Sequence, residues 1–376
     1  MSAISEKANL LSWAEIDLGA LTYNIKELHQ CLRPKTQLMA VVKKNAYGHG
    51  AVPVAKAVVA AGAEWLGVYS LEEALELRDA DIIAPILIIG DIPRTQAAAI
   101  VKGKLTPTVF ETELPLALDE AAQKLNTTIA VHVKVDTGLN RFGASIEDVA
   151  HLLQFIAGLD RVRVGGVYTH FASADEAERG TTEAQLQRFI EITSSLPEPG
   201  FLHAANSAAT LRFPETHLDL VRVGIAIYGV YPSPATERTV PLRPVLSLKS
   251  RVTRLHWMKP GEGVSYGLTW IAEKDALVAV VPFGYGDGLP RLLSNRGQVL
   301  VRGQRVPIRG RVCMDQCVVD VTAVAGIKVG DEVVLLGKQD GEEITADEIA
   351  GWADTISYEI FTGIRTGLRR IYITTL

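Results

Sequence analysis

Residues 37–50 read QLMAVVKKNAYGHG. A short apolar run meets two adjacent lysines and a glycine-bearing loop. The run reads as a buried strand, Gln37–Val42, and the same texture returns along the next two hundred residues. Further strands are expected over Trp65–Tyr69, Pro85–Ile89, Leu105–Phe110, Ile129–Val135, Val162–Tyr168, Gly200–His203 and Asp219–Val223. Amphipathic stretches separate them and carry helix signals. Ser70 with Glu73 forms a capping-box pattern ahead of ALELRDA, and Ser145 with Asp148 does so ahead of VAHLLQFIAG, with Gly158 as the stop. Eight strand–helix units in this length point to a parallel (β/α)8 barrel of the TIM type. The rival is an open doubly wound sheet. It uses fewer strands and wants a dinucleotide loop, yet no GxGxxG follows a strand here.

Beyond about residue 240 the texture changes. SLKSRVTRLHWM, DALVAVVPF, QVLVRGQRVPIRGRV, QCVVDVTAV, DEVVLLG and RRIYITTL read as strands, with TADEIAGWAD as a helix among them. A second, mainly β domain is therefore expected over 243–376, with residues 1–11 packing on it and the barrel over 12–242. Pro232, Pro234, Pro241 and Pro244 cluster at that boundary.

Composition narrows the class. The chain has 376 residues, long enough for two domains, with 48% hydrophobic and 22% charged residues. A net charge of -5 argues against a nucleic-acid surface. No apolar run is long enough to span a bilayer, and MSAISEKANLLSWAEI lacks the pattern of a secretory signal. Cys31, Cys313 and Cys317 make no disulfide framework, and no Cys or His cluster accompanies the last two to hold a metal. A cytoplasmic setting without metal or membrane partner is expected.

In a (β/α)8 barrel the chemistry lies at the C-terminal ends of the strands, where Lys43 and Lys44 fall. A lysine there can shift its pKa and condense with an aldehyde cofactor, although a single such lysine is ordinarily a solvated loop residue. Alternation does not choose between the two. Barrels also hold phosphate after their seventh and eighth strands. Here those positions carry AANSAATL, where Ser207 opens a helix, and VRVGIAIYG, where Gly224 permits close backbone approach. Either is by itself an ordinary cap or turn. Together with the lysine they suggest pyridoxal 5′-phosphate, and a phosphosugar barrel enzyme fits equally well to this point.

Nine motifs, in order, resemble those of the bacterial alanine racemases: AVVKKNAYGHG, VKVDTGLNRFG, VYTHFASAD, AANSAATLRFP, DLVRVGIAIYG, VSYGLTW, PFGYGDGLPR, RVCMDQCVVDV and ISYEIFTGI. The resemblance covers nearly the whole chain. It implies a pyridoxal-phosphate isomerase that interconverts L- and D-alanine for cell-wall synthesis. The family's cofactor lysine stands four residues before the tyrosine of AYGHG, which selects Lys43 and brings in Tyr47. Lys44 replaces the small residue usual there. The resemblance further implies a phosphate cradle of Tyr47, Ser207, Gly224, Ile225 and Tyr358, with Asn206 and His203 beside it.

It places Arg222 at the pyridine nitrogen and His170 near the cofactor ring. Arginine only donates hydrogen bonds, so the ring nitrogen should stay unprotonated and the electron sink weak. Arg141 is implied near the phenolic oxygen and the substrate carboxylate. Lys134 matches a lysine often carbamylated in the family; the plain alternative is a pairing with Asp136. Racemisation needs acid–bases on both faces of the substrate carbon. The resemblance implies that Lys43 serves the D-face and Tyr266 the L-face, with Tyr266 reaching the cofactor of the other subunit. Cys313, Met314 and Asp315 are implied to line the substrate pocket, and Tyr285 to gate it. The active form is then a homodimer with composite sites.

Two departures stand out. Phe142 replaces a smaller aliphatic residue, and GIRTGLRRIY replaces a SYRVPRIY-like ending. The alternatives are a broad-specificity amino-acid racemase, a related decarboxylase, which would set an acid where Arg222 stands, and a non-catalytic pyridoxal-phosphate-binding protein, which would lack the β domain. A plain interaction protein explains none of the motifs.

Overall fold

Strand β1 (Ser12–Asp17) precedes the helix Leu18–Cys31, and β2 (Gln37–Val41) then begins a series of parallel strands. A computed structural model describes residues 7, 9–194, 196 and 199–375. The series continues with β3 (Trp65–Val68), β4 (Ile86–Ile88), β5 (Thr106–Val109), β6 (Ile129–Lys134), β7 (Val162–Tyr168), β8 (Phe201–His203) and β9 (Leu220–Val223). Each lies within a run expected from the sequence. They pair in the order β8-β7-β6-β5-β4-β3-β2-β9, every pair parallel. This is a nearly closed eight-stranded barrel. Between β8 and β9 there is no ladder. Single bonds join them instead: Asp219 N–H to the Leu202 carbonyl and Arg222 N–H to that of Ala205, each 3.0 Å. The Asp219 carboxylate also accepts the Leu202 N–H at 2.8 Å.

The barrel is filled in layers. Met39, Leu87 and Leu220 pack together with the partly buried Trp65, Ile89 and Phe201. Farther along, inward positions turn polar: His132, His203, Tyr168 and Thr108 are all buried. Buried polar groups need partners, and Thr108 and Tyr168 join their hydroxyls at 2.8 Å.

The helix signals resolve unevenly. Ser70 caps Leu71–Asp79 by accepting the Glu73 N–H, but the Glu73 carboxylate bonds elsewhere, so the capping box is half formed. Ser145 and Asp148 bond each other, and Val149–Ala157 starts after Asp148 and ends at Gly158.

The second unit is built on a mostly antiparallel sheet. Its strands are β10 (Leu246–Arg251), β11 (Arg254–Met258), β12 (Gly263–Val264), β13 (Trp270–Ile271), β14 (Ala276–Val281), β15 (Gln298–Val301), β16 (Gln304–Arg309), β17 (Cys317–Asp320), β18 (Glu332–Gln339), β19 (Glu342–Ile344) and β20 (Arg370–Ile373). The main order is β11-β14-β17-β16-β15-β18-β10-β1-β20, with β19 on β18 and β12–β13 a separate pair.

Strand β1 was not anticipated in this sheet. The sequence reading began the barrel at residue 12, whereas Ser12–Asp17 pairs with β10 and β20. Its ion-paired Glu15, held by Lys7 and Lys249, also belongs there. By contacts, one unit takes the described residues through Ala20 together with Tyr47–Gly50 and the chain from Pro244; the other takes Leu21–Ala46 and Ala51–Arg243. Of the segment 1–11, residues 1–6 and 8 lie outside the described residues. The carbonyls of Lys7 and Leu10 accept from Arg251, and that of Leu11 from Ser250.

Candidate active site

Lys43 follows β2 directly and opens an unusual turn. Lys44, Asn45, Ala46 and Tyr47 have φ of 54°, 54°, 52° and 51°, a left-handed helical turn built without glycine. Each such residue costs roughly 1–2 kcal/mol, so the turn must be held from outside itself. The Ala46 N–H reaches the Val42 carbonyl at 2.9 Å. The Asn45 side chain accepts the Ala51 N–H at 2.8 Å, and Glu73 accepts that of Lys44 at 2.8 Å. Burial depresses the Lys43 pKa, Arg141 and Lys44 add to that, and Glu73 opposes it. Lys44 is exposed.

Arg222, on β9, is buried and has no carboxylate among its hydrogen-bond partners in the described residues. It donates to His203 Nδ1 and His170 Nδ1, each at 3.1 Å, and to the Thr169 and Ala204 carbonyls at 2.8 and 3.0 Å. Burial pulls its pKa down to about 10, so it stays charged at neutral pH. This fixes the histidine tautomers. A guanidinium only donates, so both Nδ1 atoms accept and both neutral rings carry hydrogen on Nε2. His203 Nε2 therefore donates to His132 Nδ1 at 2.9 Å. Burial and the Arg222 charge hold His170 and His203 well below the usual histidine range. Burial pushes Tyr168 up to about 12; its ring stacks on His203 with centroids 4.6 Å apart.

His203 was expected beside the phosphate cradle. In the structure it joins Arg222 to His132 inside the barrel. His132 and Tyr168 were not anticipated, although His132 lies two residues before Lys134 on the same strand face, a period-2 signal present in IAVHVK.

After β8, Ser207 was read as the residue that opens a helix. The cap of Ser207–Arg212 is Asn206, whose side chain accepts the Ala209 N–H at 3.0 Å. That leaves the Ser207 hydroxyl free for the next loop, where it accepts N–H groups of Gly224 at 2.9 Å and Ala226 at 3.4 Å. Ile225 begins the short helix that follows. Two loop ends thus present N–H and O–H groups together, a donor set suited to phosphate.

After β6, the Asp136 carboxylate gathers the N–H groups of Gly138, Leu139, Asn140 and Arg141. Lys134 donates to the Phe142 carbonyl, with its ammonium 3.8 Å from the centre of the Phe142 ring. Burial pushes Lys134 down to about 8. The unusual Phe142 is thus the lysine's cover. The charges of Arg222, Arg141, Lys134 and Lys43 all act on His170.

In the second unit, the Tyr47 and Tyr358 rings lie 6.2 Å apart, with Tyr358 on the helix Ser357–Thr362. Tyr266 is 70% exposed and follows Ser265, which has φ of 63°. The Ser265 hydroxyl donates to the Arg311 carbonyl at 2.6 Å and lies 3.3 Å from Cys313 Sγ. Tyr285 N–H bonds the Cys313 carbonyl and Gly286 N–H bonds that of Met314, so the two loops are zipped together. A side chain at Gly284 would strike the Met314 carbonyl at 2.2 Å. Tyr266, Tyr285, Met314 and Asp315 all stand exposed.

Comparison with known proteins follows the same division. The alanine racemase N-terminal domain matches residues 16–232 and the C-terminal domain residues 245–372. An alanine racemase of Symbiobacterium thermophilum is 47% identical, over 96% of this chain and 97% of that protein. The solved alanine racemase of Streptomyces coelicolor superposes with a TM-score of 0.93 at 39% identity, over 98% of this chain and all of the other. That of Bartonella henselae, solved with covalently bound pyridoxal phosphate, gives 0.88 at 29% identity, over 97% of this chain and all of the other. By motif order, fold and full-length similarity alike, the chain belongs to the alanine racemase family.

Proposed function

We infer that this chain interconverts L-alanine and D-alanine with pyridoxal 5′-phosphate, supplying D-alanine for peptidoglycan, with Lys43 and Tyr266 as acid–bases on opposite faces of the substrate. The observation that carries this reading is the buried Arg222, without a carboxylate, whose field meets those of Arg141, Lys134 and Lys43 at His170. Arg222 and Lys134 are buried, and buried cations call for anionic partners. A phosphate ester, a phenolic oxygen and an amino-acid carboxylate together meet that demand.

Ser207, Gly224 and Ile225 would hold the phosphate, joined by Tyr47 and Tyr358 and supported by Asn206. Arg222 would donate to the pyridine nitrogen. When bound, the cofactor offers an aldehyde to Lys43 and draws electrons from the substrate's α-carbon. Burial favours the neutral amine of Lys43, the form that attacks an aldehyde and accepts a proton. In the D-to-L direction, Lys43 Nζ takes the α-proton and the Tyr266 hydroxyl delivers one to the other face; in reverse the roles exchange. His170 carries its hydrogen on Nε2, so a phenolate reaching it meets a donor, and Arg222 behind it keeps that donor oriented. Arg141 would align the substrate carboxylate. Lys134, pushed down to about 8, is neutral in a larger fraction near neutral pH than an ordinary lysine, and the neutral amine is the form that takes up carbon dioxide.

Tyr266, Cys313, Met314, Asp315 and Tyr285 would come from a second copy of the chain in a homodimer with two composite sites. The exposure of Tyr266, Met314, Asp315 and Tyr285 supports this, since a group that works on another subunit must project from its own. The test is proton NMR of L-alanine in D2O with protein and cofactor, followed by chiral analysis. Loss of the α-proton signal with formation of D-alanine is expected. Exchange without D-alanine would leave a single working face and refute the two-base reading.

A further inference from the structure

We propose that Glu73 is a positioning residue for Lys43: its carboxylate pins the left-handed turn that begins at the lysine. The inference rests on Lys43 being the cofactor lysine. In a full capping box the glutamate side chain returns to its own cap residue. Here Ser70 accepts the Glu73 N–H at 3.4 Å, but the carboxylate leaves the helix start. One oxygen accepts the Tyr69 N–H at 2.7 Å and the other the Lys44 N–H at 2.8 Å. Glu73 thus joins the loops after β2 and β3, two adjacent barrel strands.

The Lys44 N–H belongs to the peptide that links Lys43 to Lys44. Fixing that peptide fixes the backbone rotation of Lys43, and with it the direction of the side chain. A left-handed run without glycine relaxes unless it is over-determined, and Glu73 supplies a hold from another element at the first turn residue. The Lys44 ammonium, 4.0 Å from Glu73 and largely exposed, adds little. Glu73 is also the negative charge acting on Lys43, against the positive Arg141 and Lys44; the Tyr69 ring centre lies 6.0 Å from the Lys43 ammonium.

The experiment follows capture of pyridoxal 5′-phosphate by the full-length protein stripped of cofactor, across pH, with borohydride trapping and peptide mapping of the labelled lysine. Circular dichroism confirms folding. Glu73→Gln removes the charge and one acceptor. Capture should slow about tenfold, and the midpoint of its pH dependence should move to lower pH. Glu73→Asp keeps the charge but shortens the reach, so capture should slow with the midpoint near its original place. A purely structural role would lower the unfolding temperature and leave capture by folded protein unchanged. Capture by both folded variants at the original rate and midpoint overturns the proposal and leaves the cofactor reading standing. If Glu73→Gln does not fold, an unchanged rate in Glu73→Asp overturns it alone. Absence of label on Lys43 in the unaltered protein overturns the cofactor reading and this inference together.

Discussion

His132 and His203 are buried in the barrel and hydrogen-bonded as neutral rings. Burial, with the Arg222 charge, holds His132 down to about 3 and His203 well below its ordinary range. In the unfolded chain both titrate at about 6.5. Below that pH the unfolded state binds more protons than the folded one, so stability is full above it and falls as pH drops toward about 3. The slope approaches about 1.4 kcal/mol per pH unit for each ring. We expect the unfolding temperature to fall between pH 7 and pH 5, and the fall to be shallower in His132→Leu; scanning calorimetry across that range checks both. At this scale the sequence disclosed chemistry better than position. Lys43, Arg222 and His170 were singled out through motifs, and the structure brings Arg222 and His170 into contact. The partner atoms of His203 and Ser207 were not, because hydrogen bonds across a barrel depend on strand register rather than on neighbours in the chain.

Short elements show where local signals suffice. Thr345 and Glu348, at the head of TADEIAGWAD, make a complete capping box, and the helix Ala346–Ala353 follows. Thr345→Ala should destabilise the protein by about 1 kcal/mol with kcat unchanged, as denaturant unfolding beside an alanine assay would show. The turn Lys44–Tyr47 is the opposite case. Nothing in KNAY encodes a left-handed path except the tolerance of asparagine for it; contacts from Val42, Ala51 and Glu73 help to hold it. The zipped loops of the second unit are likewise a product of close approach. Gly284→Ala would drive a methyl into the Met314 carbonyl. We expect KM for alanine to rise several-fold, with little change in the visible spectrum of the cofactor.

At the scale of the molecule, the eight barrel strands could be read because each lies in a short, mainly apolar or β-branched run between longer amphipathic stretches. Strand β1 could not. Its membership in the second sheet is decided by partners more than two hundred residues away, Leu246–Arg251 and Arg370–Ile373. Since β20 has its only ladder with β1 among the described residues, a fragment of residues 244–376 should leave β20 unpaired. We expect that fragment to show weakened sheet signal in far-ultraviolet circular dichroism and to self-associate on size exclusion. The composite-site proposal belongs to this scale too. Mixing Lys43→Ala and Tyr266→Phe proteins, each inactive alone, should restore up to about a quarter of the activity once subunits exchange; no recovery would mean that each chain uses its own tyrosine.

The seam between β8 and β9 gives the barrel a natural parting line. Every other junction is a ladder, while this one is stitched by isolated bonds at Asp219 and Arg222. The same seam is flanked by Ser207 and Gly224, which already touch. An anion gripped from both sides would act as a fastener and convert the ring from one that can gape into one that is locked. Amide hydrogens at Leu202, Asp219 and Arg222 should then exchange with solvent much more slowly once pyridoxal phosphate is added, making retention of the ligand and rigidity of the scaffold two faces of one event.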